Sequence, residues 1–202
     1  MAPELAQQPT VVLIPAGDTE WDEQDRMAGA ADLPLSEEGL RQVQEMAGQI
    51  ADEQIKLLCV SANQAAQQTA AVLGEELDID VKTVKGLEAV DVGLWEGLTT
   101  EQLRQRYTRV YKQWSEHPTS IRPPQGENLQ EAADRLVAAI VREARKSKVQ
   151  PVGVVLGRLT LEVARCRLEG SDIDDIWKNM EDTICWRSYG LSRELLSTSK
   201  RD

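Results

Sequence analysis

The sequence predicts a single α/β domain of three layers, in which a mostly parallel central sheet lies between two layers of helices. Three observations favour this fold class. Short apolar runs alternate with amphipathic segments along the 202 residues, the apolar runs are continuous, and no internal repeat or linker interrupts them. Continuous apolar runs are typical of strands that are covered on both faces. We therefore expect one domain over residues 1–202, with flexible tails at 1–9 and 197–202.

Five segments carry the strand signal, because each is short and rich in apolar or β-branched residues. The predicted strands are Thr10–Pro15, Ile55–Ser61, Val81–Val84, Pro151–Leu156 and, as the last, Thr183–Leu195.

Three amphipathic segments predict helices between these strands. The first follows Ser36, which is placed to cap it. The second begins after Thr99, where Thr99 and Gln102 form a predicted capping box, and its apolar stripe continues to Trp114. The third begins after Asn128, and the polar segment from His117 to Asn128 that precedes it is predicted to be one long loop.

The composition excludes several classes of partner. Formal net charge is −11, from 34 acidic and 23 basic residues, whereas nucleic acids and anionic membranes attract cationic surfaces. No apolar run approaches the roughly 20 residues of a membrane helix, and the first residues do not form a signal peptide. Three widely spaced cysteines indicate reduced thiols. We expect a cytoplasmic protein that binds neither nucleic acid nor membrane.

The segments that follow the predicted strands carry the most specific motifs. They include "GDTEW" after the first strand, "QTA" at Gln68–Ala70, "VGLWEGLT" at Val92–Thr99 and "RPPQGENLQE" before the third helix. Together, in this order, they resemble the histidine phosphatase superfamily, whose best-known branch is the cofactor-dependent phosphoglycerate mutases. The resemblance runs from about Thr10 to Leu195 and implies a phosphoglycerate mutase-like fold.

The resemblance also implies a set of catalytic parts: an attacking histidine, arginines and a second histidine around the phosphoryl group, and a carboxylic acid for the leaving oxygen. Pro15 and Ala65 stand where the resemblance places arginines, and Ala16 and Gly157 stand where it places the attacking and the second histidine. None of these residues supplies the corresponding chemistry. Only the acid position is retained, as Glu88. The resulting degenerate pocket is predicted to consist of Pro15, Ala16, Gly17, Asp18, Asp22, Ala65, Glu88, Gly157 and Arg158.

The histidine count leads to a functional expectation. His117 is the only histidine of the chain, so a mechanism with two histidines is impossible. We therefore expect a catalytically inactive member of the superfamily with a binding, scaffolding or regulatory role. Its partner would be an unidentified protein or small ligand. We expect no cofactor, and a homo-oligomer is compatible with the sequence.

An enzyme remains the alternative. It would be a diverged phosphatase or other hydrolase that uses Glu88, or a metal bound by the acidic residues around Asp18 and Asp22. Arg158 has two interpretations: it turns inward and pairs with Glu88 or Asp18, or it points outward and leaves an acidic cavity.

Overall fold

The central sheet has five strands in the order β3-β2-β4-β1-β5. The computed structural model describes residues 8–149, 151–179 and 185–198. The strands are β1 (Thr10–Pro15), β2 (Leu57–Val60), β3 (Asp80–Thr83), β4 (Val152–Leu156) and β5 (Arg187–Gly190). β1 and β4 are parallel, β2 is parallel to both β4 and β3, and β5 pairs with β1 in the antiparallel direction.

Helices cover both faces of this sheet. In chain order they are α1 (Glu20–Glu23), α2 (Glu37–Ile50), α3 (Gln64–Leu77), α4 (Thr100–Arg106), α5 (Thr108–Glu116), α6 (Leu129–Lys146), α7 (Arg158–Glu169), α8 (Ile176–Asn179) and α9 (Arg193–Thr198). The predicted three-layer fold with a mostly parallel sheet is thus confirmed.

Two apolar cores lie on opposite sides of the sheet, because successive side chains of a strand point to opposite faces. On one side, Val12 and Ile14 of β1 pack with residues of α2 and α3. On the other side, Val11 and Leu13 pack with residues of α6 and α7. All four side chains are at most 2% exposed, which explains why β1 reads as a continuous apolar run.

The predicted caps are present in the structure. The Ser36 hydroxyl accepts a hydrogen bond from the Gly39 amide at 2.9 Å. Thr99 and Gln102 form the reciprocal capping box at the start of α4. The single helix predicted from Thr99 to Trp114 is wrong, because the backbone of Tyr107 leaves the helical region and separates α4 from α5.

The chain after the last parallel strand differs from the prediction in two respects. The strand predicted over Thr183–Leu195 is shorter, since β5 ends at Gly190 and α9 begins at Arg193; residues 183 and 184 lie outside the described residues. The long loop predicted from His117 to Asn128 contains one 3₁₀ turn at Pro118–Ser120. Most of the predicted tails also lie outside the described residues.

Within the described ranges, no helix combines the length and the apolarity that crossing a membrane requires.

A buried carboxylate, Glu143 of α6, links that helix to the edge strand β3 through an ion pair with Lys82. Glu143 is 6% exposed. Burial favours the neutral acid, but hydrogen bonds from Lys82 and from Arg142 outweigh it and lower the pKa of Glu143 below its ordinary value. A lowered pKa means that the pair stabilises the fold at neutral pH and loses this contribution as the pH falls through the lowered pKa of Glu143.

We expect Lys82→Met to lower the free energy of unfolding by about 1–2 kcal/mol at neutral pH. This is less than for a fully buried pair, because Lys82 is half exposed and Arg142 remains. Urea unfolding at pH 7 and at successively lower pH measures the difference, which should shrink in acid. Lys56→Met, at an exposed lysine, is the control. Equal effects of the two substitutions would contradict the assigned role of the pair.

Candidate functional site

A cavity of about 380 Å³ lies beyond the carboxyl ends of β1, β2 and β4. Parallel α/β sheets commonly bind ligands at this edge. Three segments that follow the strands contribute to its lining: Ala16–Thr19 after β1, Asn63 and Ala65 after β2, and Gly157–Thr160 after β4. Of the nine residues predicted for the pocket, Ala16, Gly17, Asp18, Asp22, Ala65, Gly157 and Arg158 line this cavity.

The loop after β1 is held in place by backbone hydrogen bonds to its neighbours. The Ala16 amide donates to the Leu156 carbonyl at 2.8 Å, which extends the pairing of β1 with β4 by one residue. The Gly17 amide donates to the Thr69 hydroxyl at 3.1 Å, and that hydroxyl donates to the Ala65 carbonyl at 2.8 Å. The fully buried Thr69 thereby ties the end of β1 to the first turn of α3.

Asp18 is oriented by one side chain from α2. The Gln42 side chain accepts from the Asp18 amide at 3.1 Å, and its Nε2 donates to Asp18 Oδ2 at 2.9 Å. The Asp18 carbonyl accepts from the Ser36 amide at 2.9 Å. Oδ1 has no hydrogen bond to the described residues, so this half-buried carboxylate keeps one oxygen for a ligand or a water molecule.

Asp22 has a structural role in the same loop. The Thr19 amide and the Thr19 hydroxyl both donate to Asp22 Oδ2, at 2.8 and 2.6 Å. These contacts form the capping box of the short helix α1. Asp22 therefore contributes negative charge to the cavity, while one of its oxygens is already engaged.

The amino end of α7 also borders the cavity. It lies on the face of the sheet opposite to α2. Gly157 is the cap residue and supplies no side-chain hydrogen bond to the first turn. Arg158 and Leu159 follow it along the cavity wall. Thr160 is buried, and its hydroxyl accepts from the Val90 amide at 3.0 Å. A helix start with a guanidinium beside it is favourable for anions.

Glu88 was predicted to belong to the pocket, but the structure places its carboxylate elsewhere. Glu88 Oε2 lies 3.3 Å from Nη1 of Arg135 on α6, and both carboxylate oxygens accept from the Gly86 amide. Partial burial favours the neutral acid, but these hydrogen bonds and the charge of Arg135 lower its pKa. A proton donor at neutral pH needs a raised pKa, so Glu88 is not suited to the role of catalytic acid. The predicted pairing of Arg158 with Glu88 is wrong for the same reason.

Two further predictions concern residues at the edge of this region. Pro15 is buried as the last residue of β1 and does not line the cavity. His117 lies at the end of α5, exposed, with Nδ1 3.3 Å from Asp174 Oδ2. Among the residues that the structure describes, no three His, Cys, Asp or Glu side chains converge as a metal site.

The structure adds lining residues to the predicted pocket set. Asp25 and Arg26 follow α1, and an aromatic wall formed by Tyr111, Trp114 and Trp177 closes the cavity from α5 and α8. The sequence places Asp25 only in a general acidic cluster, and the tryptophans only in the core or in a pocket wall. The three aromatic residues meet through tertiary packing, with the Trp114 and Trp177 ring centroids 4.2 Å apart.

Comparison with known proteins identifies relatives over most of the chain. The profile of the histidine phosphatase superfamily (branch 1) matches residues 11–196. Phosphoserine phosphatase 1 of Hydrogenobacter thermophilus is 24% identical over 83% of this chain and 79% of its own. The adenosylcobalamin/alpha-ribazole phosphatase of Escherichia coli is 24% identical over 90% of each chain. A mycobacterial glucosyl-3-phosphoglycerate phosphatase, solved in complex with VO3, superimposes with a TM-score of 0.79 at 23% identity, over 89% of this chain and 92% of its own.

These relatives contradict the prediction that the chain is not an enzyme, because those matched over 79% and 90% of their lengths are named phosphatases. The error has a physical reason. The absence of histidine at Ala16 and Gly157 excludes the two-histidine mechanism, but it does not exclude hydrolysis. A water molecule can attack phosphorus when a carboxylate accepts its proton.

Proposed function

Because this chain belongs to the histidine phosphatase superfamily, branch 1, we propose that it hydrolyses a phosphate ester with water, rather than a histidine, as the nucleophile. The observation that carries this proposal is that an acid, Asp18, and a cation, Arg158, line the same cavity at the carboxyl ends of the strands. Each supplies one requirement of phosphate-ester hydrolysis.

The phosphoryl group would bind at the start of α7. The first amides of a helix lack intrahelical acceptors, and Gly157 offers no capping side chain. These amides and the Arg158 guanidinium are the local positive field of a chain whose net charge is −11. Arginine suits this position, because its planar donors match phosphate oxygens in pairs.

Asp18 would act as the general base. Gln42 fixes its backbone and Oδ2, which leaves Oδ1 to accept a proton from water. The oxygen of that water forms a bond to phosphorus as the ester P–O bond breaks. The departing oxygen takes a proton from solvent, so the products are an alcohol and inorganic phosphate. A fixed carboxylate of this kind contributes about 10²–10⁴-fold in typical enzymes.

A divalent metal is the second route that the carboxylates allow. Asp18 and Asp22 both line the cavity, and Mg²⁺ is commonly held by one or two carboxylates together with substrate phosphate oxygens. One oxygen of Asp22 is already bound by Thr19, which favours the metal-free route.

We expect the purified protein to release phosphate from p-nitrophenyl phosphate, and to do so equally with EDTA and with Mg²⁺ or Mn²⁺. An ester with a chiral, isotopically labelled phosphoryl group should react with inversion at phosphorus, since a single displacement inverts and a covalent intermediate restores the configuration. His117→Ala is the matched control, and it should leave the rate unchanged.

Three outcomes separate the routes. Retention at phosphorus, or a protein labelled by a radioactive phosphoryl group, would contradict direct attack by water. Activity that EDTA abolishes and Mg²⁺ restores would show that the reaction follows the metal route. Failure to release phosphate from any aryl or alkyl ester would refute the proposed function.

A further inference from the structure

The lining of the cavity contains two chemically different groups of residues. Arg158 and the start of α7 suit an anion, as described above. The aromatic wall (Tyr111, Trp114 and Trp177) and the carboxylate of Asp25 belong to the same lining. From this second group we infer that the group attached to the phosphate is an aromatic ring that carries a positively charged amine.

The charge of the lining favours a cation away from Arg158. Three carboxylates, those of Asp18, Asp22 and Asp25, face two guanidinium groups, those of Arg26 and Arg158. Arg26 keeps its charge, but two of its donors are occupied, because its Nη1 donates to the Gly97 carbonyl and its Nε to the Gln24 side chain, both at 2.7 Å. With Arg158 assigned to the phosphate, the remaining field is negative.

Asp25 is the carboxylate best placed to meet an amine. Asp18 is bound by Gln42 and Asp22 by Thr19, whereas the Asp25 side chain has no hydrogen-bond or ion-pair partner among the described residues. Its backbone adopts a left-handed conformation with φ of 52°, which is uncommon for a residue other than glycine. The backbone is held there by hydrogen bonds from its amide to the Asp22 carbonyl and from the Thr100 amide to its own carbonyl.

The aromatic wall provides a fixed surface for a ring. Trp177 Nε1 donates to the Trp114 carbonyl at 2.9 Å, which locks the orientation of the Trp177 indole. Trp114 also packs edge-on against the buried Trp95, with ring centroids 5.1 Å apart. Aromatic faces attract both rings and ammonium groups, so this wall and an acidic rim together favour an arylalkylamine.

The test uses ligands without phosphate, so its result does not depend on turnover. Phenethylamine, phenethyl alcohol and 3-phenylpropionate place a positive, a neutral and a negative group on similar rings. By calorimetry or by quenching of tryptophan fluorescence, we expect the amine to bind about tenfold more tightly than the carboxylate. Asp25→Asn should remove most of that preference. Trp177→Ala should weaken the binding of the amine and of the alcohol alike. Trp186→Phe, at a residue outside the cavity lining, is the control and should leave binding unchanged.

Equal or tighter binding of the carboxylate, or a preference unchanged in Asp25→Asn, would overturn this inference. The inference rests on the proposed function only for the phosphate group. A second measurement compares kcat/KM for tyramine O-phosphate with that for the O-phosphate of 3-(4-hydroxyphenyl)propionate, which share a phenolic leaving group. A preference for the carboxylate-bearing ester would overturn the inference and leave hydrolysis standing. Amine-selective binding without any turnover would support the inference and refute the hydrolysis.

Discussion

Replacing Asp18 by asparagine is expected to lower the rate of phosphate release by about 10²–10⁴-fold. The asparagine side chain keeps an oxygen for the hydrogen bond from Gln42 Nε2, so the loop after β1 should retain its position. It cannot accept the proton of the attacking water. Steady-state release of phosphate from an aryl ester, measured with equal amounts of folded protein, gives the ratio.

Glu88→Gln is the matched control for this substitution. It removes a carboxylate whose oxygens contact Gly86 and Arg135 rather than the cavity. We expect its rate to stay within a factor of about two of the unmodified protein, because it lies outside the reaction. A large loss in Glu88→Gln together with an unchanged rate in Asp18→Asn would show that the carboxylates have been assigned the wrong way round.

The substitution Gly39→Ala, which adds a methyl group, is expected to destabilise the fold by about 1–3 kcal/mol or more and to lower the activity as well. Gly39 lies in the first turn of α2, where an added Cβ would meet the carbonyl oxygen of Asp18 at 2.0 Å and its amide nitrogen at 2.7 Å. Backbone atoms cannot rotate away as a flexible side chain does. The loop that carries Asp18 must therefore move, and the hydrogen bond from the Ser36 amide to the Asp18 carbonyl is strained or lost.

Gly48→Ala provides a control in the same helix. Gly48 is exposed, and nothing lies within 4 Å of the added Cβ. Alanine is favoured over glycine by about 0.5–1 kcal/mol inside a helix, so this variant should be slightly more stable than the unmodified protein. Thermal and urea unfolding of the pair measure both effects. Similar stability of the two variants would contradict the close approach of α2 to the β1 loop.

The functional part of the prediction was wrong where it treated one missing mechanism as the absence of any mechanism. The histidine count is a property of the sequence, and it does exclude a mechanism that needs two histidines. Whether another pair of groups can act instead depends on which side chains share a cavity. Asp18 and Arg158 are 140 positions apart in the chain, and only the pairing of β1 with β4 brings their loops together.

Local patterns by themselves determined the four parallel strands, the helices α2 and α6, and the end of the sheet at which the cavity lies. The buried strand β1, the capping residues Ser36 and Thr99, and the loops after β1 and β4 all follow from interactions between residues close in sequence, so short motifs record them. The pairing of Glu88 with Arg135 and the aromatic wall were decided by tertiary structure. Each depends on a contact between distant segments, such as the 47 positions between Glu88 and Arg135. A short sequence motif contains no information about which distant charge or ring will be its neighbour, because that follows only once both apolar cores have packed.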